Sequence, residues 1–487
     1  MTCRFAGAIS IGVEVPKHKG KGRCGKVGIQ VSIGQIEKTV SGKLLRGDPQ
    51  VVCCGASTDT RTISPGEVFF AIKGERFDGH DFVSAAIEKG AGCVVVSNET
   101  AFADVAQAAG EPHVIAVSDV KKALQDLARW YLSTLNIKKI GITGSTGKTS
   151  TKDILGAICA EKFKTAKTPG NWNNEIGVPL TALGFEADVQ VGVFEMGAGA
   201  VGDIRLLADI VKPDIAIITN VGVSHLETFG SRENILKGKM EIADFLEPKS
   251  LLIINGENDL LTRSSAAGPY RLQTVGTSGK NEYILSDIGD LGGGVCFTLE
   301  KPPERHRFET ALPGRHNAIN AALAIAAALA LGMRLSETEA GLRKVVLTEK
   351  RMSVKGKDGL KIIDDTYNAS PESMRAAIDE LMAIKGMRKV AILGDMLELG
   401  GEAKMYHEEI GAYVAFRGVD RLIAIGNLSE EMAKAASRRM AAEQVCHFKN
   451  KENFLPELKK LIEPGDVILV KGSRGLAMEQ IVKKIME

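Results

Sequence analysis

An α/β fold built as several domains is predicted by three observations. Short β-branched runs alternate with amphipathic helical stretches along the chain, the pattern of parallel sheets covered by crossover helices. The 487 residues exceed what one hydrophobic core normally organises. There are 53 glycines, where an average chain of this length carries roughly 34, which fits many tight strand-to-helix turns. Lys plus Arg number 62 against 60 Asp plus Glu, scattered along the chain and accompanied by few aromatics. That balance gives no electrostatic footprint for nucleic acid or an acidic membrane, so a small-molecule partner is expected.

Taken in order, residues 1–27 hold a basic Gly/Lys stretch without a small-residue cleavage site and are expected to be a disordered or non-native extension. Block 28–112 contains "EVFFAIKG", the helical "HDFVSAAIEKGA" and the strand "GCVVVS", and reads as a small α/β domain. Block 113–334 carries strands "KKIGIT", "VQVGVFEM", "DIAIITN" and "SLLIIN", each ending in polar or Gly residues. Open parallel sheets gather their ligands at such strand ends. Block 335–487 repeats the pattern with "LKIIDD", "RKVAILGD", "DRLIAIG" and "GDVILVKGS", and reads as a smaller nucleotide-type domain. The run "AINAALAIAAALALG" is too short to span a bilayer. The eight cysteines show no CxxC and no metal-ligand spacing, so buried thiols in a reducing compartment are expected.

In "KKIGITGSTGKTSTKDILGAI" a strand, a Gly-rich turn and a helix follow one another directly. Backbone N–H groups of such a turn and of the helix N-terminus converge on one anion. The stretch Thr143, Gly144, Ser145, Thr146, Gly147, Lys148, Thr149, Ser150 is therefore assigned to ATP. Gly144 and Gly147 permit close backbone approach, Lys148 reaches the β- and γ-phosphates, and the Thr149 hydroxyl ligates Mg²⁺. Mg²⁺ needs further hard ligands, and Glu195 and His225, at the ends of neighbouring strands, are the candidates. The central block is expected to be a parallel-sheet P-loop ATPase domain.

The motifs "TGSTGKT", "PGNWNNEIGVP", "FEMGAG", "NVGVSHLETFGS", "LPGRHNAINAALAI", "DDTYNASPESM", "LGDMLELG" and "LVKGSRGLAMEQIV" occur in that order. Together they resemble the bacterial Mur ligases, and among them the dipeptide-adding members, from about residue 30 onward. The family's loop is G-x-x-G-K-[ST] preceded by Thr, so Ile142, where a longer phosphate loop has Gly, is no defect. The resemblance implies three domains: a small N-terminal UDP-binding domain, the central ATPase domain and a C-terminal Rossmann-like domain. It implies a monomeric, ADP-forming ligase of the bacterial cytoplasm that joins D-alanyl-D-alanine to UDP-N-acetylmuramoyl-tripeptide through an acyl phosphate.

Residue by residue, the resemblance implies that Lys148, Glu195, His225 and Lys239 are catalytic. Thr149 and Glu195 would hold one Mg²⁺, and His225 and a carbamylated Lys239 a second. Lys239 lies in "GKMEI", where the family has "AKGEI", so Gly238 stands in place of Ala. Asn317 and Asn320, beside His316, and Arg351 and Asp365 would contact the nucleotide, the last two from the third block as it closes. Ser57, Asp59, Thr60 and Arg61 would lie near the uridine diphosphate, and Asn173 and Asn174 beside the muramoyl-peptide. Tyr367, Asn368, Lys471, Ser473 and Arg474 would face the dipeptide and the acyl end. His407 reads equally as a packing residue or a catalytic one. A tripeptide-forming relative would carry D-N-P-[RK], absent from 335–487. A non-catalytic ATP switch would need the loop and Glu195 but not the sets in the third block.

Overall fold

The computed structural model describes residues 28–97, 112–348 and 352–487. Arg351 and the extension expected at 1–27 lie outside them. Among the described residues four sheets form. A nine-stranded sheet dominates, in the order Glu304–Thr310, Val295–Lys301, Tyr283–Asp290, Arg271–Gly276, Leu251–Asn255, Ile215–Ile218, Lys138–Thr143, Val191–Glu195, Thr165–Lys167. Strands are parallel from Thr165–Lys167 to Tyr283–Asp290, and the last two are antiparallel. The β-branched runs are buried on both faces, as parallel strands covered on two sides must be. One face packs against helices Lys148–Cys159 and Arg315–Ala330. In the second of these Ala321–Ala328 is wholly buried, and its small side chains bring the helix close to the sheet and to its neighbour.

The site is placed by one topological step. After Lys138–Thr143 the chain runs through a helix to Thr165–Lys167, beyond Val191–Glu195, and Ile215–Ile218 pairs on the other side. Strand order therefore reverses at Lys138–Thr143, and a crevice opens at its carboxyl end. Register sets Glu195 opposite Ile142 and Ile218 opposite Thr143, so three strand ends meet there.

The third block forms a six-stranded sheet, parallel except for its edge strand Ser353–Lys357. In it Leu360–Asp365 lies beside Asp466–Lys471, with Asp365 opposite Lys471. The first block forms a five-stranded sheet that takes in Val114–Ala116, beyond the limit expected at 112, because that strand pairs with Lys43–Arg46 and Cys93–Val96. Helix Leu335–Leu342 packs on Lys148–Cys159, and a Cβ on Gly341 would stand 2.4 Å from Ile158 Cα. The central block's packing thus continues past 334. A two-stranded pair, Gln30–Ser32 with Val52–Cys54, completes the set.

Five cysteines, Cys53, Cys93, Cys159, Cys296 and Cys446, are free thiols. No helix among the described residues is long and apolar enough to cross a membrane.

The contact between the second and third blocks carries a buried acid. Glu380, on helix Pro371–Ala383, is 6% exposed, and its carboxyl is pushed up to about 7 by burial and then by Asp290 of the central sheet. A carboxyl whose pKa is raised by folding stabilises the fold below its unfolded value, near 4.5, and that contribution is lost as pH rises through about 7. Glu380→Gln should therefore flatten the decline in unfolding free energy between those limits, by roughly 3 kcal/mol at most. Chemical denaturation of both proteins at pH 5 and pH 8 measures it.

Candidate active site

The reversed strand order leaves a cavity of about 1020 Å³ over the end of Lys138–Thr143. Residues 145–150 line it together with Asn173, Asn174, Glu195, His225, Asn317 and Asn320 of the central block. Asp365, Tyr367, Asn368 and Lys471 line it from the third.

The loop is held from both sides. Thr143 Oγ1 donates to the Met196 carbonyl (2.9 Å), the Thr146 N–H donates to Asn220 Oδ1 (2.8 Å), and Asn220 Nδ2 donates to Thr146 Oγ1 (2.7 Å). Gly144 has φ +147°, and a Cβ there would lie 2.0 Å from Thr219 Oγ1. Gly147, at φ +81°, caps helix Lys148–Cys159, and a Cβ there would lie 2.7 Å from Asn320 Oδ1. Both positions exclude a side chain. Lys148 Nζ donates to the carbonyls of Gly144 (2.6 Å) and Ser145 (3.2 Å), folded over the loop it would serve.

Behind the loop sits Glu195, 1% exposed. Its Oε1 accepts from Thr149 Oγ1 (3.0 Å) and Asn173 Nδ2 (2.8 Å). Its Oε2 is buried without a hydrogen bond among the described residues and lies 3.5 Å from Lys152 Nζ. A hydroxyl and a carboxylate with a spare oxygen are hard donors that fit one Mg²⁺, an ion usually completed by substrate phosphates and water. Among the described residues no group of three or more His, Cys, Asp or Glu gathers as a metal cage. Lys152, wholly buried, also donates to the Gly170 carbonyl (2.9 Å) of the "PGNWNN" loop.

His225 adopts φ +61° at the start of Leu226–Phe229, and its Nδ1 contacts the Glu398 carboxylate of the third block. Burial pushes the imidazole pKa down; Glu398 opposes this, while Lys148 and Lys239 add to it. Glu398 also sits at positive φ, +64°, and its carbonyl accepts the Glu227 N–H (3.0 Å). Lys239 is 2% exposed, its Nζ 5.5 Å from the centre of the Phe229 ring. Burial first, then Lys148, pulls its pKa down to about 7. A Cβ on Gly238 would lie 2.7 Å from Phe229 Cε1, which accounts for Gly where the family has Ala. Lys239 lies beside the cavity rather than on its wall.

From the third block, Lys471 Nζ pairs with Asp365 Oδ2 (2.5 Å) and donates to the Asn368 carbonyl (2.8 Å). Asn320 Nδ2 donates to Asn317 Oδ1 (3.2 Å) and Asn317 Nδ2 to the Pro313 carbonyl (2.7 Å), so each amide has a fixed orientation. Three stretches match family descriptions: residues 55–131 the Mur ligase family catalytic domain, 142–328 the Mur ligase middle domain, and 350–474 the Mur ligase glutamate ligase domain. The UDP-N-acetylmuramoyl-tripeptide–D-alanyl-D-alanine ligase of Bacillus subtilis is 38% identical over 462 residues, 94% of this chain and 99% of that protein. The chain belongs to the Mur ligase family. MurF from Acinetobacter baumannii superposes with a TM-score of 0.85 at 31% identity, over 94% of this chain and 99% of that one. The MurF ligase of Thermotoga maritima in complex with ADP gives 0.77 at 29% identity, over 88% and 96%.

Several expected positions of this Mur ligase lie off the cavity. Ser473 is buried: its Oγ accepts the Leu397 N–H (2.8 Å) and its N–H donates to the Asp395 carbonyl (3.0 Å), bracing the turn that carries Glu398. Arg474 is exposed and pairs with Glu479 (3.0 Å). Ser57 ends the strand Ala56–Ser57, and Asp59, Thr60 and Arg61 lie in the turn after it, where Asp59 binds Arg61 through both carboxylate oxygens and the Thr60 carbonyl accepts from Lys89. His407 is a packing residue: its Nε2 accepts the Met396 N–H (2.9 Å) and its Nδ1 lies 2.6 Å from the Ala403 carbonyl. Thr219, Asn220, Lys152, Glu398 and Glu372 join the candidate site without having been expected there, although Asn220, Glu398 and Glu372 fall inside the motifs "NVGVSHLETFGS", "LGDMLELG" and "DDTYNASPESM".

Proposed function

We propose that this chain joins D-alanyl-D-alanine to the terminal carboxylate of UDP-N-acetylmuramoyl-tripeptide with conversion of ATP to ADP, the pentapeptide-forming step of bacterial peptidoglycan synthesis, and that it works as a cytoplasmic monomer. One observation carries the reading: the phosphate loop, the buried Glu195 and the Asp365–Lys471 pair of a separate block all meet at one cavity. A switch protein would need only the first two. The relatives named above are dipeptide-adding enzymes, which favours this reaction over tripeptide formation.

In this reading the tripeptide carboxylate attacks the γ-phosphate, ADP leaves, and the dipeptide amine displaces phosphate from the acyl phosphate. Two anions must meet, so catalysis is mainly positioning and charge stabilisation. Lys148 turns from the loop carbonyls to the β- and γ-phosphates. Thr149 and Glu195 would hold Mg²⁺, which would supply neutralising charge, and His225 and a carbamylated Lys239 would hold a second ion. Asn317, Asn320, Asp365 and Arg351 keep the nucleotide, Ser57 to Arg61 the uridine diphosphate, and Asn173 and Asn174 the peptide. Tyr367, Asn368, Lys471, Ser473 and Arg474 shape the dipeptide side, Ser473 through the turn it braces. Phosphate release from ATP should require the tripeptide substrate and rise sharply with D-alanyl-D-alanine. Release that ignores the dipeptide would sink the proposal.

Lys239 gives a second test. Its pKa near 7 leaves the amine uncharged above that pH and so able to take up carbon dioxide, a capacity that fades as pH falls below it. Lys239→Arg keeps a cation and cannot form the carbamate, so ligation should drop by roughly 100-fold. Carbon-13-labelled bicarbonate should give a carbamate NMR signal in the parent protein at pH 8 that weakens by pH 6 and is missing in the variant.

A further inference from the structure

Glu372 enters the cavity from the third block in the first turn of helix Pro371–Ala383. Its Oε1 accepts the Val223 N–H (3.1 Å), while Oε2 is shielded from solvent without a hydrogen-bond partner among the described residues. The approach depends on Gly222, where a Cβ would stand 2.6 Å from Oε1. The Gly222 N–H donates to Ser145 Oγ (2.9 Å), so one short turn links this carboxylate to the phosphate loop. His225 follows two residues after Val223. Arg232, the guanidinium that feels Glu372, is committed to Asp259 and to the Val221 carbonyl. A carboxylate oxygen held away from water is costly unless a donor reaches it.

The geometry points to Glu372 as the group that receives the ammonium of the incoming amine, a role that rests on the ligase reading above. Among the reacting groups the triphosphate, the tripeptide carboxylate and the dipeptide's own carboxylate are anions that Glu372 repels. The dipeptide amino terminus is the cation that must arrive beside the γ-phosphate, and a carboxylate anchored one turn from the phosphate loop holds it there.

Glu372→Gln keeps an oxygen for the Val223 N–H and removes the charge. The test compares affinity for D-alanyl-D-alanine with that for propionyl-D-alanine, which lacks the ammonium. The parent protein should prefer the amine by about tenfold or more, the range of a charge-assisted hydrogen bond. In the variant that preference should vanish, with KM for ATP and for the tripeptide substrate within about twofold of the parent, the size of an ordinary surface change. An unchanged preference overturns the inference. So does equal weakening of both dipeptides, which would mark a purely structural clasp. A change confined to the Mg²⁺ requirement, or to a tripeptide bearing a free third-residue amine, overturns it in favour of those cations. A parent protein that forms no dipeptide-dependent product contradicts the ligase reading itself, whereas normal ligation with unchanged preference contradicts only the role of Glu372.

Discussion

Lys148→Ala should lower dipeptide-dependent ADP formation by about 1000-fold or more, with the fold intact. The ammonium rests on the Gly144 and Ser145 carbonyls at the mouth of the loop, so it can turn to a phosphate without moving backbone. The loop's shape is held by other bonds, those of Thr143, Thr146 and Asn220, which the substitution leaves in place. Circular dichroism and thermal unfolding should match the parent while turnover disappears. A second consequence follows from charge. Lys148 helps to depress the pKa of Lys239, so its removal should move the carbamate signal's pH dependence upward. Retained turnover in Lys148→Ala would contradict the assignment of the loop.

Glu195→Gln should also lose about 100- to 1000-fold in rate, and unlike Lys148→Ala it should destabilise the protein. Glu195 supplies the negative charge nearest the Thr149 hydroxyl and the charge that compensates Lys152. The glutamine retains an oxygen for Thr149 and Asn173 but leaves Lys152, wholly buried, with Asp153 at 3.7 Å as its remaining acid. Removing one partner of a buried ion pair costs about 3–5 kcal/mol, and Asp153 should hold the loss to the lower end. Adding Lys152→Met to Glu195→Gln should recover much of the stability and none of the activity. Stability and rate restored together would mean that Glu195 serves the fold alone.

The sequence carried the central site unusually far because its parts are local. A strand, a Gly-x-x-Gly-Lys-Thr turn and a helix are contiguous, and the positive φ of Gly144 and Gly147 can be expected from spacing. Glu195 was legible for a similar reason, as the acid that ends a buried strand. Lys239 stood out from the exposed Lys237 only through resemblance, since burial cannot be read from a helix of mixed polarity. Of the residues delivered across blocks, Asp365, Tyr367, Asn368 and Lys471 were legible only through resemblance, and others were not legible at all. Glu398 and Glu372 reach the central strand ends through a domain contact that no local pattern encodes, and Lys152 looks like any helix lysine until the loop at Gly170 folds over it. In the fold, the antiparallel strands Val295–Lys301 and Glu304–Thr310 went unread because neither alternates: the first is buried over five consecutive residues and the second is polar except for Phe308. Ser473 and Arg474 sit in a true motif, yet their side chains support a turn and the protein surface rather than the cavity wall.

In the proposed reaction the loop presents a γ-phosphate to a carboxylate rather than to water. Labelling the terminal carboxylate of UDP-N-acetylmuramoyl-tripeptide with oxygen-18 and recovering the phosphate after complete turnover with D-alanyl-D-alanine tests it most directly. Each phosphate released should carry one oxygen from the carboxylate. Phosphate that acquires its new oxygen from solvent instead would contradict it.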